Sequence, residues 1–257
     1  MVCSVYVSYA LSNAVHVSWY YNRISNSCND GILGVSDYVS NWKVCGKAKK
    51  HFGTVYNIPI DAKKNKEHIL QDLRNDLNIK SDDIVVVSTG RITKEKGYDV
   101  FWDAIQKIGH TEKIKYIIAG DGDYLQEWKK DVILKGFENE VFLLGFIDNI
   151  NKVLQVADIF MMCTKHETLC ISILEAAFSY LPIIASNIGG IPEIVDEKSG
   201  ILVDSCDVCG FANAILNLAS NKSLRDSLGN NANEKVVNKF NVEIILKKID
   251  KIYSSLV

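Results

Sequence analysis

The 257-residue chain has no stretch of about 18 consecutive apolar residues, so nothing in it reads as a membrane-spanning helix. Its opening segment, MVCSVYVSYALSNAVHV, lacks the basic region that starts a secretory signal. Neither sign of charge prevails. With 29 Lys and Arg against 31 Asp and Glu the formal net charge is −2, which gives no electrostatic case for a nucleic-acid partner. Lysines do cluster at 43, 47, 49 and 50 and at 63, 64 and 66. They read as a solvated helix face and a linker, with loose contact to an anionic membrane surface as the alternative. Seven cysteines without a framework of spacings exclude a disulfide scaffold and fit a reducing, cytoplasmic compartment. The one CxxC pair, Cys206 and Cys209, has no second pair to complete a metal site and reads as two helix-start cysteines, a redox role being the alternative. No G-x-G-x-x-G follows a strand and no acidic pocket is apparent, which argues against a dinucleotide-binding or receiver-type domain, and there is no internal repeat.

What is present from about residue 80 onward is alternation. Apolar runs at 84–87, 116–119, 141–144, 159–162, 183–185 and 200–203 read as strands buried on both faces. Helical patterns fall between them near 97–108, 123–136, 149–156 and 170–180. The alternation predicts an α/β fold, a doubly wound Rossmann-like parallel sheet with right-handed crossovers. A last helix over about 241–256 carries a stripe of Ile244, Ile245, Ile249 and Ile252. The first sixty residues differ: a strand ending at Ser36, a helix up to about Phe52, a short strand over 55–60 and a polar connector at 61–66. That is too little for an independent core. The expected organisation is therefore a partial domain at 1–60, a main domain at 61–240, and a helix at 241–257 returning toward the first part.

Several turns behind these strands carry chemistry. After the run at 84–87 comes TGRITKEKG, where Gly90 permits a tight turn and Arg91 and Lys96 set two cations above a strand end. A solvated loop whose cations pair with Glu95 or Asp99 is the plain alternative. The next strand ends in AGDGD, in which Gly120 brings backbone close to a ligand. Asp121 and Asp123 mimic a metal-binding Asp-x-Asp, and each also suits a turn or a helix cap. In KHETLCISILE, amide groups at the helix start beyond Leu169, Cys170 and Ile171 would face an anion. Glu167 and Glu175, eight positions apart, could meet a sugar and vicinal hydroxyls, a helix-dipole partner and a surface charge being their plain readings.

Taken in order, Gly-Arg-x4-Lys-Gly, Gly-Asp-Gly, Glu-x7-Glu and Gly-Gly-Ile-Pro-Glu resemble the C-terminal half of family 4 glycosyltransferases, retaining enzymes of GT-B fold. The resemblance runs from about Ser36 to the C-terminus, with further matches at 34–36 and at Tyr56 and Asn57. It implies a retaining, hexosyltransferase-type enzyme that moves a sugar from a UDP-, GDP- or ADP-sugar to a glycan or lipid-linked acceptor, in polysaccharide assembly. Arg91 and Lys96 would neutralise the diphosphate, aided by backbone donors of Leu169, Cys170 and Ile171, with Gly90 and Gly120 also lining the donor site. Glu175 would hold the ribose, Glu167 the donor sugar, and Phe146 and Ile147 the base. Charge on the leaving group would be met by these cations, with no metal or other cofactor.

The sequence departs from the family pattern at Thr168 and Cys170, where Gly or Pro is usual, and at Tyr180 before Leu181. Cys170 would put a bulkier group near the phosphates. Only the tail of the family's N-terminal domain, which carries the acceptor surface, has a counterpart. His16 reads as a strand-edge or loop histidine, the N-domain histidine of the family being the alternative. The second functional reading is thus a non-catalytic or split donor-binding module. Its acceptor half would come from a partner chain, with peripheral contact to the inner membrane face as a further partner.

Overall fold

The computed structural model describes residues 32–41, 51–59 and 70–255. The polar connector at 61–66, the lysine clusters and His16 lie outside these residues. The chain divides into two compact units, Met1–Ile58 with Phe240–Val257, and Pro59–Lys239.

In the first unit, β1 (Ile32–Gly34) and β2 (His51–Thr54) pair in parallel around α1 (Asp37–Ser40). Ser36 caps α1, its hydroxyl accepting from the Val39 amide at 3.1 Å. The expected strand at 55–60 is misplaced. The strand is His51–Thr54, so Phe52 belongs to it and does not end a helix. Its Thr54 side chain bonds both Ser40 and Asp37, and Tyr56 donates to Asp37 at 2.8 Å from the segment beyond the strand. The last helix, α10 (Val242–Ser254), begins at an Asn241 cap. Its apolar stripe is narrower than expected: Ile245 is buried while Ile244 is 54% exposed. The spacing explains this, since 245, 249 and 252 share a face and 244 lies well to one side.

The second unit is a six-stranded parallel sheet in the order β5-β4-β3-β6-β7-β8. The strands are β3 (Ile84–Thr89), β4 (Ile114–Ala119), β5 (Val141–Gly145), β6 (Ile159–Met162), β7 (Ile183–Ser186) and β8 (Gly200–Val203). Its helices are α2 (Leu70–Asp76), α3 (Tyr98–Ile108), α4 (Leu125–Leu134), α5 (Asn151–Gln155), α6 (Ile171–Phe178), α7 (Ile191–Ile194), α8 (Val208–Ser220) and α9 (Lys222–Lys239). Both faces are covered. Val86, Tyr116, Ile118, Ile159 and Met161 join a core with Phe101, Trp102, Trp128 and Phe211. The alternate positions Val85, Val87, Ile117, Phe160 and Ile183 are buried as well. This two-sided burial is why the strands read as unbroken apolar runs.

Strand order reverses between β3 and β6, because β4 and β5 extend one way and β7 and β8 the other. A crevice opens outside the carboxyl ends of such a pair, where the two following loops diverge to opposite faces. The loops that diverge here are those after Thr89 and after Met162. Among the described residues no helix is long and apolar enough to cross a membrane.

Candidate functional site

The loop after β3 delivers Lys96 just before α3, and the loop after β6 delivers Glu167 just before α6. Their ends meet: Lys96 Nζ donates to Glu167 Oε2 at 2.9 Å, with side chains 22% and 12% exposed. Burial works against the Lys96 charge, yet the Glu167 carboxylate outweighs it and holds the lysine above its ordinary pKa. The other carboxylate oxygen, Oε1, accepts from the Thr168 amide at 3.0 Å. Asp99, offered above as a partner for these cations, instead takes Lys165 at 2.6 Å. Arg91 is exposed and makes no ion pair among the described residues, so its guanidinium is available to an anion.

Cys170 caps α6 with φ 56 and ψ 87, in the left-handed region that favours glycine. Its side chain turns inward beside Ser172 Oγ, 3.3 Å from Sγ, and the thiol is pushed up to about 12 by burial and then by Glu167. The side chain of Cys170 is thus buried and its thiol neutral. Leu169 is buried beneath the turn and Ile171 is half-buried. One turn into α6, Glu175 is half-buried, its carboxylate without a hydrogen bond among the described residues. Burial raises its pKa.

Gly90 and Gly120 serve one another. A Cβ on Gly120 would lie 1.8 Å from the Gly90 carbonyl oxygen, so the turns after β3 and β4 touch backbone to backbone. Asp121 spends a carboxylate oxygen on the Gly122 amide at 2.7 Å, the turn-forming option of its two readings. No group of three or more His, Cys, Asp or Glu side chains suited to a metal occurs among the described residues. Phe146, directly after β5, is 75% exposed and Ile147 is half-buried. The CxxC pair is exposed and free, and the cap of α8 is Asp207, which lies between the two cysteines.

Two contributions were not legible in the sequence. Gly189, with φ 56, lies where a Cβ would be 1.9 Å from the Glu167 carbonyl oxygen, so the loop after β7 buttresses Glu167. Gly-Gly-Ile-Pro-Glu was read as one of the four family motifs, without a link to Glu167. The Lys165 to Asp99 pair joins positions 66 apart and has no local signature.

Residues 71–235 match the family described as glycosyl transferases group 1. The chain belongs to that family. Among curated group 1 relatives, it is 26% identical over 208 residues to N-acetyl-alpha-D-glucosaminyl L-malate synthase of Bacillus anthracis, covering 80% of this chain and 54% of that protein. It is 32% identical over 184 residues to UDP-Gal:alpha-D-GlcNAc-diphosphoundecaprenol alpha-1,3-galactosyltransferase of Escherichia coli, covering 68% of this chain and 46% of that one. The chain spans about half the length of these curated relatives. Its fold is that of GT-B structures such as Anabaena Alr3699/HepE in complex with UDP and glucose, with a TM-score of 0.84 at 22% identity over 93% of this chain and 66% of that one.

Proposed function

We propose that the crevice between β3 and β6 binds a nucleotide-sugar donor and transfers its sugar with retention of configuration, as in family 4. The observation that carries this is the meeting of Lys96 and Glu167 at the topological switch point, in the loop that also carries Arg91, which makes no ion pair among the described residues. A cation pair suits a diphosphate, and an adjacent carboxylate suits the hydroxyls of the sugar it carries. Names of relatives support the chemistry: the Escherichia coli protein uses UDP-Gal, and Alr3699/HepE is described with UDP and glucose.

Each residue then has a task. Arg91 grips diphosphate oxygens and Lys96 adds a point charge, so the nucleoside diphosphate departs with its new charge already balanced. Amides at the start of α6 add donors on the same oxygens. Glu175 accepts from the ribose hydroxyls, Phe146 and Ile147 flank the base, and Glu167 orients the sugar at the reacting carbon. Gly90 and Gly120 keep the floor of the crevice free of side chains. The cations do the work a divalent metal would do, so no cofactor enters this reading. The base is that of UDP, GDP or ADP, and the acceptor is a glycan or a lipid-linked glycan. The setting is cytoplasmic, at the inner membrane face for a lipid-linked acceptor, with the acceptor surface supplied by a further domain or a partner chain.

Thermal-shift screening against UDP, GDP, ADP and their sugar conjugates tests the reading, because a ligand that binds only the native state raises the midpoint. Lys96→Ala and Glu175→Ala should each weaken the affinity read from the shift by about tenfold, the loss of one good polar contact. Unchanged affinity in both would sink the site assignment. Binding without turnover on any acceptor would leave a donor-binding module.

A further inference from the structure

Sheet pairing between β3 and β6 ends at Val87 with Phe160. Beyond that register no ladder holds the two loops at a set distance, yet Lys96 and Glu167 rise from them to meet at 2.9 Å. Three contacts span the gap. The Lys165 amide donates to the Glu95 carbonyl at 3.0 Å. Gly97 approaches the Cys163 carbonyl so closely that a Cβ would lie 1.8 Å from its oxygen. Lys165 Nζ donates to Asp99 Oδ2 at 2.6 Å, both side chains being less than a third exposed, at 28% and 29%.

The last contact is the one that chemistry can tune. Asp99 stands in the first turn of α3, where the helix dipole favours a carboxylate. Its other oxygen, Oδ1, is buried with no hydrogen bond, and Lys165 is its one ion-pair partner among the described residues. Lys165 stands two positions before Glu167, and Asp99 three after Lys96, so the pair ties the loops together beside the reacting groups. We propose that Lys165 and Asp99 are positioning residues that set the spacing of Lys96 and Glu167 for the donor, an inference resting on the donor-site reading above. Lys165 acts through Asp99 and does not touch the phosphates.

That last point makes the test sharp in sign. Were Lys165 a phosphate ligand held back by Asp99, Asp99→Asn would release it and tighten binding. As a positioning pair, Asp99→Asn and Lys165→Met should each weaken binding of whichever of UDP, GDP and ADP binds the wild-type chain. The expected loss in a calorimetric titration is about 5- to 10-fold, as expected when a reacting group is misplaced by a fraction of an ångström. Lys165→Arg, which keeps the ion pair, should restore affinity to within about 2-fold. In a Lys96→Ala background Lys165→Met should cost nothing further, because the group it positions is gone. Lys165→Met carries the test alone if Asp99→Asn unfolds. Wild-type binding with unchanged affinity in the single variants would overturn the pair and leave the donor site standing. Tighter binding by Asp99→Asn would overturn it as well. Failure of all three nucleotides to bind the wild-type chain would overturn the donor reading and this inference together.

Discussion

Lys96 Nζ and Glu167 Oε2, 71 positions apart in the chain, are joined by a 2.9 Å ion pair at the crevice between β3 and β6. On the proposed reading, the lysine that would meet a diphosphate is paired with the carboxylate that would meet the sugar. A donor bound there would have to share or exchange that contact. On the proposed donor reading, the carboxylate would reclaim the lysine after transfer and weaken the hold on the departing nucleoside diphosphate.

Glu167→Gln should therefore bind a nucleoside diphosphate more tightly than the wild-type chain. The expected gain is about fivefold, the scale of one removed like-charge contact in a half-solvated site. Turnover, where an acceptor is found, should fall by far more. A titration showing weaker nucleoside-diphosphate binding by Glu167→Gln would mean that Lys96 serves both anions at once.

Glu175 ties function to a stability cost that pH can read. Burial raises its pKa, so the folded state penalises the charged form. The fold is relieved of that penalty below the ordinary carboxylate range and bears it as pH rises through the raised value. Glu175→Gln should thus raise the thermal midpoint at pH 7 by about 1–3 °C, with the difference vanishing in acid. The same variant should bind nucleoside diphosphate several-fold more weakly. A midpoint difference that grows as pH falls would contradict this assignment.

Gly189 and Gly136 make a matched pair, with φ 56 and 74, and differ only in what a Cβ would meet. At Gly136 nothing lies within 4 Å, so Gly136→Ala should cost about 1 kcal/mol from the left-handed backbone alone and leave ligand affinity intact. At Gly189 the Cβ would strike the Glu167 carbonyl, so Gly189→Ala should cost roughly 2–4 kcal/mol and impair donor binding. Denaturant melts and titrations of both variants give the comparison. Equal effects would remove Gly189 from the support of Glu167.

Chelation should leave donor binding unchanged, since Arg91 and Lys96 provide the positive charge and Asp121 is engaged with the Gly122 amide. Titrations with and without EDTA check this. A strict requirement for manganese would shift attention to Asp121 and Asp123.

Much of the fold was legible because each of its signals is local. The six apolar runs of the parallel sheet stand within one to two residues of the observed strands, since burial on both faces favours apolar residues along most of each strand. The N-terminal segment was harder to read: 55–60 looks like a strand, but the pairing strand is His51–Thr54, carrying an exposed His51 and a Gly53. Edge pairing and the contacts of Thr54 decide that register, and neither leaves a periodic trace.

The sequence by itself determined which residue types stand at which strand ends: Arg91 and Lys96 after one strand, Glu167 and Glu175 after another, glycines at the turns. Those positions follow from chain connectivity and hydrophobic period, both local properties. Only the tertiary structure decided who partners whom. Lys96 takes Glu167, Asp99 takes Lys165, Cys170 hides its thiol, and Gly189 supports Glu167 from a third loop. These outcomes depend on the strand order that brings β3 beside β6, a non-local choice fixed by packing both faces of the sheet at once.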